Sequence, residues 1–526
     1  MSDNRFTVRV LITSVLAGWL GALPVHAQMA VADVSAVIAQ ATTRAAQVSP
    51  NSVIAVVDRE GYVLGVWSAN GATPATDIEA NAIAKAGTAA FLSSSQHAFS
   101  SRTAGYIVQQ DYPPGVVNKS TGPLVGVNFS NLPFSDINRF KDPATYNPAV
   151  TNGINGGVVP TPVTGGLAGT PGGVPLYVAG KLVGGVGVVG DGLGPTDINA
   201  DTIASPSLDE DVALAGQLGY GPAESIYGSH VFVGGIRLAY VNSTTSLGAV
   251  APLGSIGAVV AAFPLVSSPS VHYSPITIGG VTGELRFPII DDPSGVPLPG
   301  GTARLTAVEV TNILAAAANR ARTTRAGIRL PRGSQMQAFI CVVSNPAVDQ
   351  SPPVVLGSIC TSPDATRFSW DVSVQKARTA LFFSSATRAF SARTVGFMAQ
   401  AHYPPSIDGT APGIFLGLQE RFSLFPKNVV NPLNGAVVTT DAGPVPGAPN
   451  GNLPNGITIF PGGFPLYRNG VLIGAIGVSG DGIDQDDIVA ATGASLFPAP
   501  DNIRGDREFY RGARLPYAKF PRNPAL

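Results

Sequence analysis

The chain carries one long segment twice. Three motifs of the first half return in the second half at an offset of 290 or 291 residues. The matched pairs are residues 98–105 with 389–396, 112–114 with 403–405, and 172–177 with 462–467. This period is far longer than the roughly 20 to 50 residues of a solenoid repeat. The sequence therefore predicts two copies of a whole folded module, and any function is to be sought in that module.

The duplication sets the predicted domain boundaries. Module 1 is predicted at residues 30–245 and module 2 at residues 303–520, with an apolar linker rich in Gly and Pro at 246–302. That linker is either a free tether or a set of extra strands packed on the pair. Periodicity within each module predicts a helix, a hairpin, a second helix, a short helix, a long loop, a second hairpin and a last helix.

The N-terminus has the pattern of an export signal. Arg5 and Arg9 precede an apolar stretch at residues 10–23, and small residues then predict cleavage after Ala27, so that residues 1–27 form a signal peptide. An uncleaved anchor helix is the alternative. No later segment is apolar enough to span a membrane after signal removal, so a periplasmic or secreted protein is expected.

Cys341 and Cys360 are the two cysteines of the chain, and both fall in module 2. Each lies in an apolar run typical of a strand, with turn residues between the runs. Export would place them in an oxidising compartment, where a disulfide is the usual outcome. A disulfide across this hairpin is therefore predicted, with two free buried thiols as the alternative.

The charge balance argues against nucleic acid as a partner. Charged residues make up 12% of the chain and the net charge is −1. Binding to a phosphate backbone requires clustered Lys and Arg, which this composition does not offer.

Several repeated motifs together resemble a known family. Module 1 has Lys85-Ala86-x-Thr88-Ala89, Gly172-Gly173-Val174-Pro175 and the run 209–213, Asp-Glu-Asp-Val-Ala. Module 2 has the matching motifs at 376–380 and 462–465, and its residues 474–480, Gly-Ala-Ile-Gly-Val-Ser-Gly, match the module 1 strand that contains Gly187-Val188. This combination resembles the GlcG/HbpS family of haem-binding proteins, also found as the C-terminal domain of PduO-type proteins.

The resemblance implies an α+β fold of two duplicated GlcG/HbpS-like modules, each an antiparallel sheet covered by helices, with long Gly/Pro-rich loops after Tyr112 and Tyr403. It also implies non-covalent binding of haem or a related tetrapyrrole, and assembly into homo-oligomers. The two copies are expected to pack as an internal pseudo-dimer.

Haem requires an apolar slot, an iron ligand and cations for two propionates. His97 in module 1 and His402 in module 2 are the predicted ligand candidates, although neither histidine recurs in the other copy. An ordinary surface or loop histidine is the alternative for each.

Arg102 and Arg393 occupy matching positions in the two copies, and a guanidinium suits a propionate carboxylate. An Arg that ties down the following long loop by bonding its carbonyls is the alternative. Lys85 and Lys376 also match and are predicted to lie near the pocket, with a solvated helix Lys as the alternative.

The sequence thus predicts an exported haem-binding protein that acts in storage, sensing or transfer. A binding or structural module without cofactor is the second hypothesis. An enzyme acting on a small acid or a corrinoid is the third, and it is less favoured because no motif for an activated nucleophile is present.

Overall fold

The fold was analysed in a computed structural model. It describes residues 28–109, 112–116, 122–124, 168–191, 203–268, 273–327, 330–331, 333–346, 353–400, 402–405, 407, 409–416, 428–430, 437–439 and 457–519. The predicted signal peptide and most of both long loops lie outside these residues. No helix in the described ranges is both long and apolar enough to cross a membrane.

Module 1 follows the predicted order of elements. Its helices are α1 Val31–Val48, α2 Thr76–Leu92, α3 Ser101–Ile107 and α4 Leu208–Gln217. Its strands are β1 Val53–Asp58, β2 Val63–Ser68, β3 Gly173–Val178, β4 Lys181–Val189, β5 Phe232–Val233 and β6 Ile236–Arg237.

The connecting segment contributes β7 Ala258–Val259, β8 Pro275–Ile278 and β9 Val281–Phe287. Module 2 has helices α5 Ala307–Thr323, α6 Phe368–Phe382, α7 Ala392–Met398 and α8 Ile483–Ala494. Its strands are β10 Ala338–Ser344, β11 Val355–Cys360, β12 Asn428–Val430, β13 Val437–Thr439, β14 Gly463–Arg468, β15 Val471–Gly480, β16 Phe509–Tyr510 and β17 Ala513–Arg514.

Each module is built on one antiparallel sheet. The strand order is β3-β4-β1-β2-β7 in module 1 and β14-β15-β10-β11-β9-β8 in module 2. The connecting segment therefore extends both sheets, with β7 beside β2 and β9 beside β11. It is a set of packed strands rather than a free tether, and it covers edges that would otherwise expose unpaired backbone groups.

Helices cover both faces of each sheet, which explains why β1, β10 and β11 are buried along their whole length. In β15 the neighbours Ile476 and Gly477 face opposite helices. Ile476 packs against Gly493 of α8, whereas a Cβ on Gly477 would lie 1.9 Å from the Ser373 oxygen of α6. Gly187 of β4 meets α2 in the same way, at 2.2 Å from the Ala82 oxygen. The glycine-rich strands therefore allow close helix packing in both modules.

The predicted disulfide is wrong, because Cys341 and Cys360 are free, buried thiols. The hairpin itself is present, formed by β10 and β11, but its register places Cys341 opposite Ser358 and Cys360 opposite Phe339. The Cys341 thiol instead contacts the Ser358 hydroxyl at 2.9 Å. The Cys360 thiol donates to the Ser362 carbonyl at 2.7 Å.

Candidate functional site

An apolar slot lies between the two modules. About 90 Å³ of it is open to a water-sized molecule, within about 730 Å³ of empty space that includes its mouth. Module 1 supplies one wall, from the end of α2, from α3 and from the tail that carries β5 and β6. Module 2 supplies the other wall, from α6, the end of β15 and the start of α8. The lining residues are Leu92, Phe99, Ile107, Pro123, Leu124, Val233 and Leu238 on the first wall, and Phe368, Val372, Lys376, Phe460, Ser479, Gly480, Gly482, Ile483 and Asp486 on the second.

One polar pair lies in the second wall. The Lys376 ammonium is 2.7 Å from Asp486 Oδ2 and 3.0 Å from the Val478 carbonyl, and both side chains are almost fully buried. Lys376 comes from α6 and Asp486 from the first turn of α8. A carboxylate next to the ammonium offsets much of the cost of burying that charge. The structure places Lys376 in the lining of the slot, and its role toward a ligand stays a prediction. Its buried acidic partner was not foreseen from the sequence.

Module 1 repeats this pair. Lys85 of α2 contacts Asp209 of α4 at 2.7 Å and the Val188 carbonyl at 2.8 Å. Both side chains are excluded from solvent. Lys85 lies outside the slot, because module 1 contributes its other side to the contact between modules. The alternative of a solvated helix Lys is wrong for both lysines.

Arg102 and Arg393 also form equivalent internal pairs. Arg102 holds Glu210 through two hydrogen bonds of 2.7 and 2.9 Å, and it donates to the carbonyls of Ile203 and Ser205. It therefore ties down the segment before α4, whereas the alternative given for this residue named the long loop that follows it.

Arg393 contacts Asp487 at 2.8 Å and Asp484 at 2.7 Å. Burial raises the pKa of Asp487 above its ordinary value, against the opposing effect of the Arg393 charge. Neither arginine lines the slot. Their predicted role as propionate ligands stays a prediction, and each already has carboxylate partners.

The two candidate histidines lie apart from the slot lining. His97 follows α2, and its ring stacks on that of Phe99 at 6.2 Å between centroids. Since Phe99 is part of the first wall, His97 lies one ring away from the slot. His402 contacts the Thr410 carbonyl through Nδ1 at 3.2 Å in module 2. The structure does not bring the two histidines together, and their role as iron ligands stays a prediction.

A buried ionic cluster beside the slot joins the modules. Glu60, in the turn between β1 and β2, accepts from Arg367 at 2.5 Å and from Arg286 at 3.1 Å. Arg59 pairs with Asp364 at 3.0 Å, and burial, reinforced by the nearby Arg367 charge, lowers the pKa of Arg59 to about 10. These contacts fix the end of the module 1 sheet against the segment that precedes α6.

Sequence reasoning missed the carboxylates that pair with the repeated cations. The sequence does contain a sign of these carboxylates. When the two copies are aligned, the acidic starts of their last helices match, Asp209 with Asp486 and Glu210 with Asp487. It also missed the slot walls, because they come from different copies and no repeat comparison can show which surfaces meet.

Comparison with known proteins agrees with this architecture. The family model described as "Haem degrading protein HbpS-like" matches residues 29–200 and 354–495. A curated relative, an uncharacterized 15.0 kDa protein of Citrobacter freundii encoded between dhaT and dhaS, is 49% identical over 41 residues, which span 8% of this chain and 29% of that protein. The match thus covers less than a third of the relative's length.

Solved structures similar to this chain include a PduOC:haem complex, with 21% identity over 38% of this chain and 98% of the other, at a TM-score of 0.23. They also include Klebsiella pneumoniae ORFY, with 19% identity over 41% and 100% of the two chains, at a TM-score of 0.23. For HbpS the identity is 17% over 39% and 99%, at a TM-score of 0.22. Because the family model covers more than half of the chain and touches both copies, the chain belongs to the HbpS-like family.

Proposed function

We propose that this protein binds haem or a related tetrapyrrole non-covalently, by apolar contact in the slot between its modules. The observation that carries the proposal is the slot itself, with aromatic and aliphatic walls from both copies in a member of the HbpS-like family. A concave, mostly apolar site with few polar groups is typical of small-molecule binding. The planar faces of a tetrapyrrole match two facing apolar walls.

The iron of haem fits this slot less well than the macrocycle does. Among the described residues that line it there is no His, Met, Tyr or Cys to serve as an axial ligand. The repeated cations Lys85, Arg102, Lys376 and Arg393 all have internal carboxylate partners. The proposed binding therefore rests on apolar contacts with the macrocycle and not on ligation of the metal. The part of the slot that is open to a water-sized molecule, about 90 Å³, is also too small for a tetrapyrrole, so side chains must move to admit one.

The macrocycle proposal is tested by comparing two ligands. Haemin is followed by its Soret band and metal-free protoporphyrin by its fluorescence, each titrated into the purified protein. We expect saturable binding of both, with dissociation constants of similar size, because the iron contributes little. Binding of haemin alone would contradict apolar recognition of the macrocycle.

Variants distinguish binding in the slot from iron ligation by the histidines. Ile483 is at the mouth and 36% exposed, so Ile483→Trp fills the entrance without disturbing the core. It is expected to weaken both ligands at least tenfold, whereas the control Ile407→Trp, at an exposed site outside the slot, leaves them unchanged. His97→Ala and His402→Ala are expected to keep both affinities. Loss of haemin binding in either histidine variant would instead support iron ligation.

A module without cofactor is the second candidate, favoured by the internal carboxylate partners of Lys85, Arg102, Lys376 and Arg393. Failure of both haemin and protoporphyrin to bind would support it. We further propose export of the protein and a role in storage, sensing or transfer of the ligand. The support for export is the pattern of residues 1–27, and N-terminal sequencing of the mature protein is expected to begin at Gln28.

A further inference from the structure

We propose that a second copy of this chain docks head-to-tail on the first, and that the contact completes a second slot between the two chains. The contact between modules within one chain joins unlike surfaces, a wall of module 1 and a face of module 2. Each surface has a counterpart in the other copy, and those counterparts do not meet within the chain. The proposal does not depend on what the slots bind.

The first counterpart is an apolar surface of module 2, here called the free wall. Its backbone repeats that of the module 1 wall, since Phe415 donates to the Met398 carbonyl just as Leu124 donates to that of Ile107. Six of its members belong to a hydrophobic cluster that is separate from the main core. The free wall consists of Phe382, Phe383, Phe390, Met398, Ile414, Phe415, Tyr510 and Leu515.

Burial shows that the free wall lacks the cover that its counterpart has. Phe91 at the end of α2 is 7% exposed, whereas the matching Phe382 is 47% exposed. Ser94 is buried in module 1, and the matching Ser385 is exposed. Ile414 in the free wall is 61% exposed. Phe383, Phe415 and Tyr510 beside them are half-buried. A patch of apolar side chains that reaches the surface in this way is typical of an interaction site.

The second counterpart is a surface of module 1, here called the free face, formed by residues 70–75 with Asn81. In module 2 the matching segment, residues 361–366, is buried or half-buried beneath module 1. Thr366 is 7% exposed there, whereas the matching Ala75 is exposed. The free face is thus the module 1 equivalent of the module 2 surface that the module 1 wall covers within the chain.

These observations select a second copy as the occupant of the free wall. Within the chain the contact places a module 1 wall on a module 2 face, so repeating it places the free wall of one chain on the free face of the next. A two-fold pseudo-dimer, as the sequence suggested, would have covered both pairs of surfaces within one chain. Contacts between unlike surfaces close into rings when the rotation allows it and otherwise continue as open chains.

The second slot would differ in chemistry from the first. Asn81 of the free face stands where module 2 has Val372, and next to it Thr170 of module 1 stands where module 2 has the slot residue Phe460. The Thr170 hydroxyl is buried and finds no hydrogen-bond partner among the described residues. The slot between chains would therefore have one apolar and one polar wall, and would suit a ligand with a polar edge.

The contact between chains should also be weaker than the contact within a chain. Asn345 and Pro346 replace Arg59 and Glu60 in the matching turn, and Thr73 replaces Asp364. The ionic cluster is therefore absent from the second contact, which must rely on apolar burial. Such association depends on protein concentration and varies little with salt.

The first experiment measures the mass of the purified protein by light scattering coupled to size-exclusion chromatography over a range of concentrations. We expect species of at least twice the mass of one chain, which is 53.7 kDa before any processing. Phe382→Asp is expected to yield monomers. Leu496→Asp, equally exposed at 47% but outside the free wall, is the matched control and should leave the assembly intact. A monomeric wild type, or equal behaviour of the two variants, would overturn the proposal.

The second experiment tests the head-to-tail arrangement. Thr73→Arg blocks the free face and Phe382→Asp blocks the free wall, so each variant alone is expected to be monomeric. A mixture of the two retains one good wall and one good face and should form a dimer with one chain of each variant. Absence of that dimer, or normal assembly of Thr73→Arg, would exclude this contact. Circular dichroism and melting of each variant check that the fold is retained.

Discussion

The buried pair of Lys85 and Asp209 offers a direct test of what holds each module together. Asp209 accepts from the Lys85 ammonium at 2.7 Å and from the Gly190 amide at 2.9 Å. Asp209→Ala removes both acceptors and leaves a buried ammonium with the Val188 carbonyl as its one remaining hydrogen-bond partner among those described. Breaking a buried ion pair from one side costs about 3–5 kcal/mol. This is a large share of the roughly 5–15 kcal/mol that stabilises a typical domain.

The assay is equilibrium unfolding in urea, followed by far-UV circular dichroism and by tryptophan fluorescence. We expect Asp209→Ala to unfold module 1 at a lower urea concentration, with a free energy of unfolding reduced by the amount stated above. The double variant Lys85→Met/Asp209→Asn removes both charges, keeps an acceptor for Gly190 and should recover most of the loss. Asp501→Ala removes an exposed carboxylate that pairs with Arg504 and Arg507, and it is expected to cost less than about 1 kcal/mol.

Two results would refute this reasoning. A loss of less than about 1 kcal/mol in Asp209→Ala would mean that the ammonium does not depend on its carboxylate. A double variant as unstable as the single variant would mean that the cost arises from packing around α4 rather than from an uncompensated charge.

Three further predictions concern acid stability, the thiols and the glycine strands. Burial opposes ionisation of Asp364, but the Arg59 charge and nearby hydrogen-bond donors outweigh burial and hold the pKa of Asp364 below the ordinary 3.8. The ionised carboxylate therefore contributes its full stabilisation of the fold above pH 3.8, and this contribution is lost as the pH falls through the lowered pKa. Asp364→Asn should therefore flatten the acid limb of melting temperature against pH. Cys341 and Cys360 should react with a thiol reagent in denaturant but not in the native protein, with no disulfide by mass, since both are buried. Gly187→Val should prevent folding of module 1, because its Cβ would lie 2.2 Å from a carbonyl of α2, and proteolysis would reveal the loss.

Local patterns were enough to predict the elements of each module. Helical spacing of apolar residues located α1, and the repeated hairpins followed from β-branched runs and turn residues. These features depend on neighbours in the sequence, where periodicity is informative.

The features that the sequence did not predict correctly depend on strand register and on partners that are distant in the sequence. A shift of two residues in the hairpin register would place Cys341 opposite Cys360 instead of Ser358, and the sequence carries no signal for that choice. Lys85 meets Asp209 across more than a hundred residues, and the slot joins surfaces from different copies. Equivalence between copies identified Lys85 and Lys376 as a pair of related residues, but it could not show that each is neutralised inside its own module.

The position of Glu60 has a consequence for the integrity of the molecule. Its carboxylate, contributed by the first copy, accepts from Arg286 of the connecting segment and from Arg367 of the second copy. Three parts of the polypeptide thus contact one acidic group. In addition, strands of the connecting segment pair with strands of both sheets. A single cut by a protease between the copies would leave the fragments bound to each other. Such a nicked protein would migrate as one particle under native conditions and separate only when unfolded.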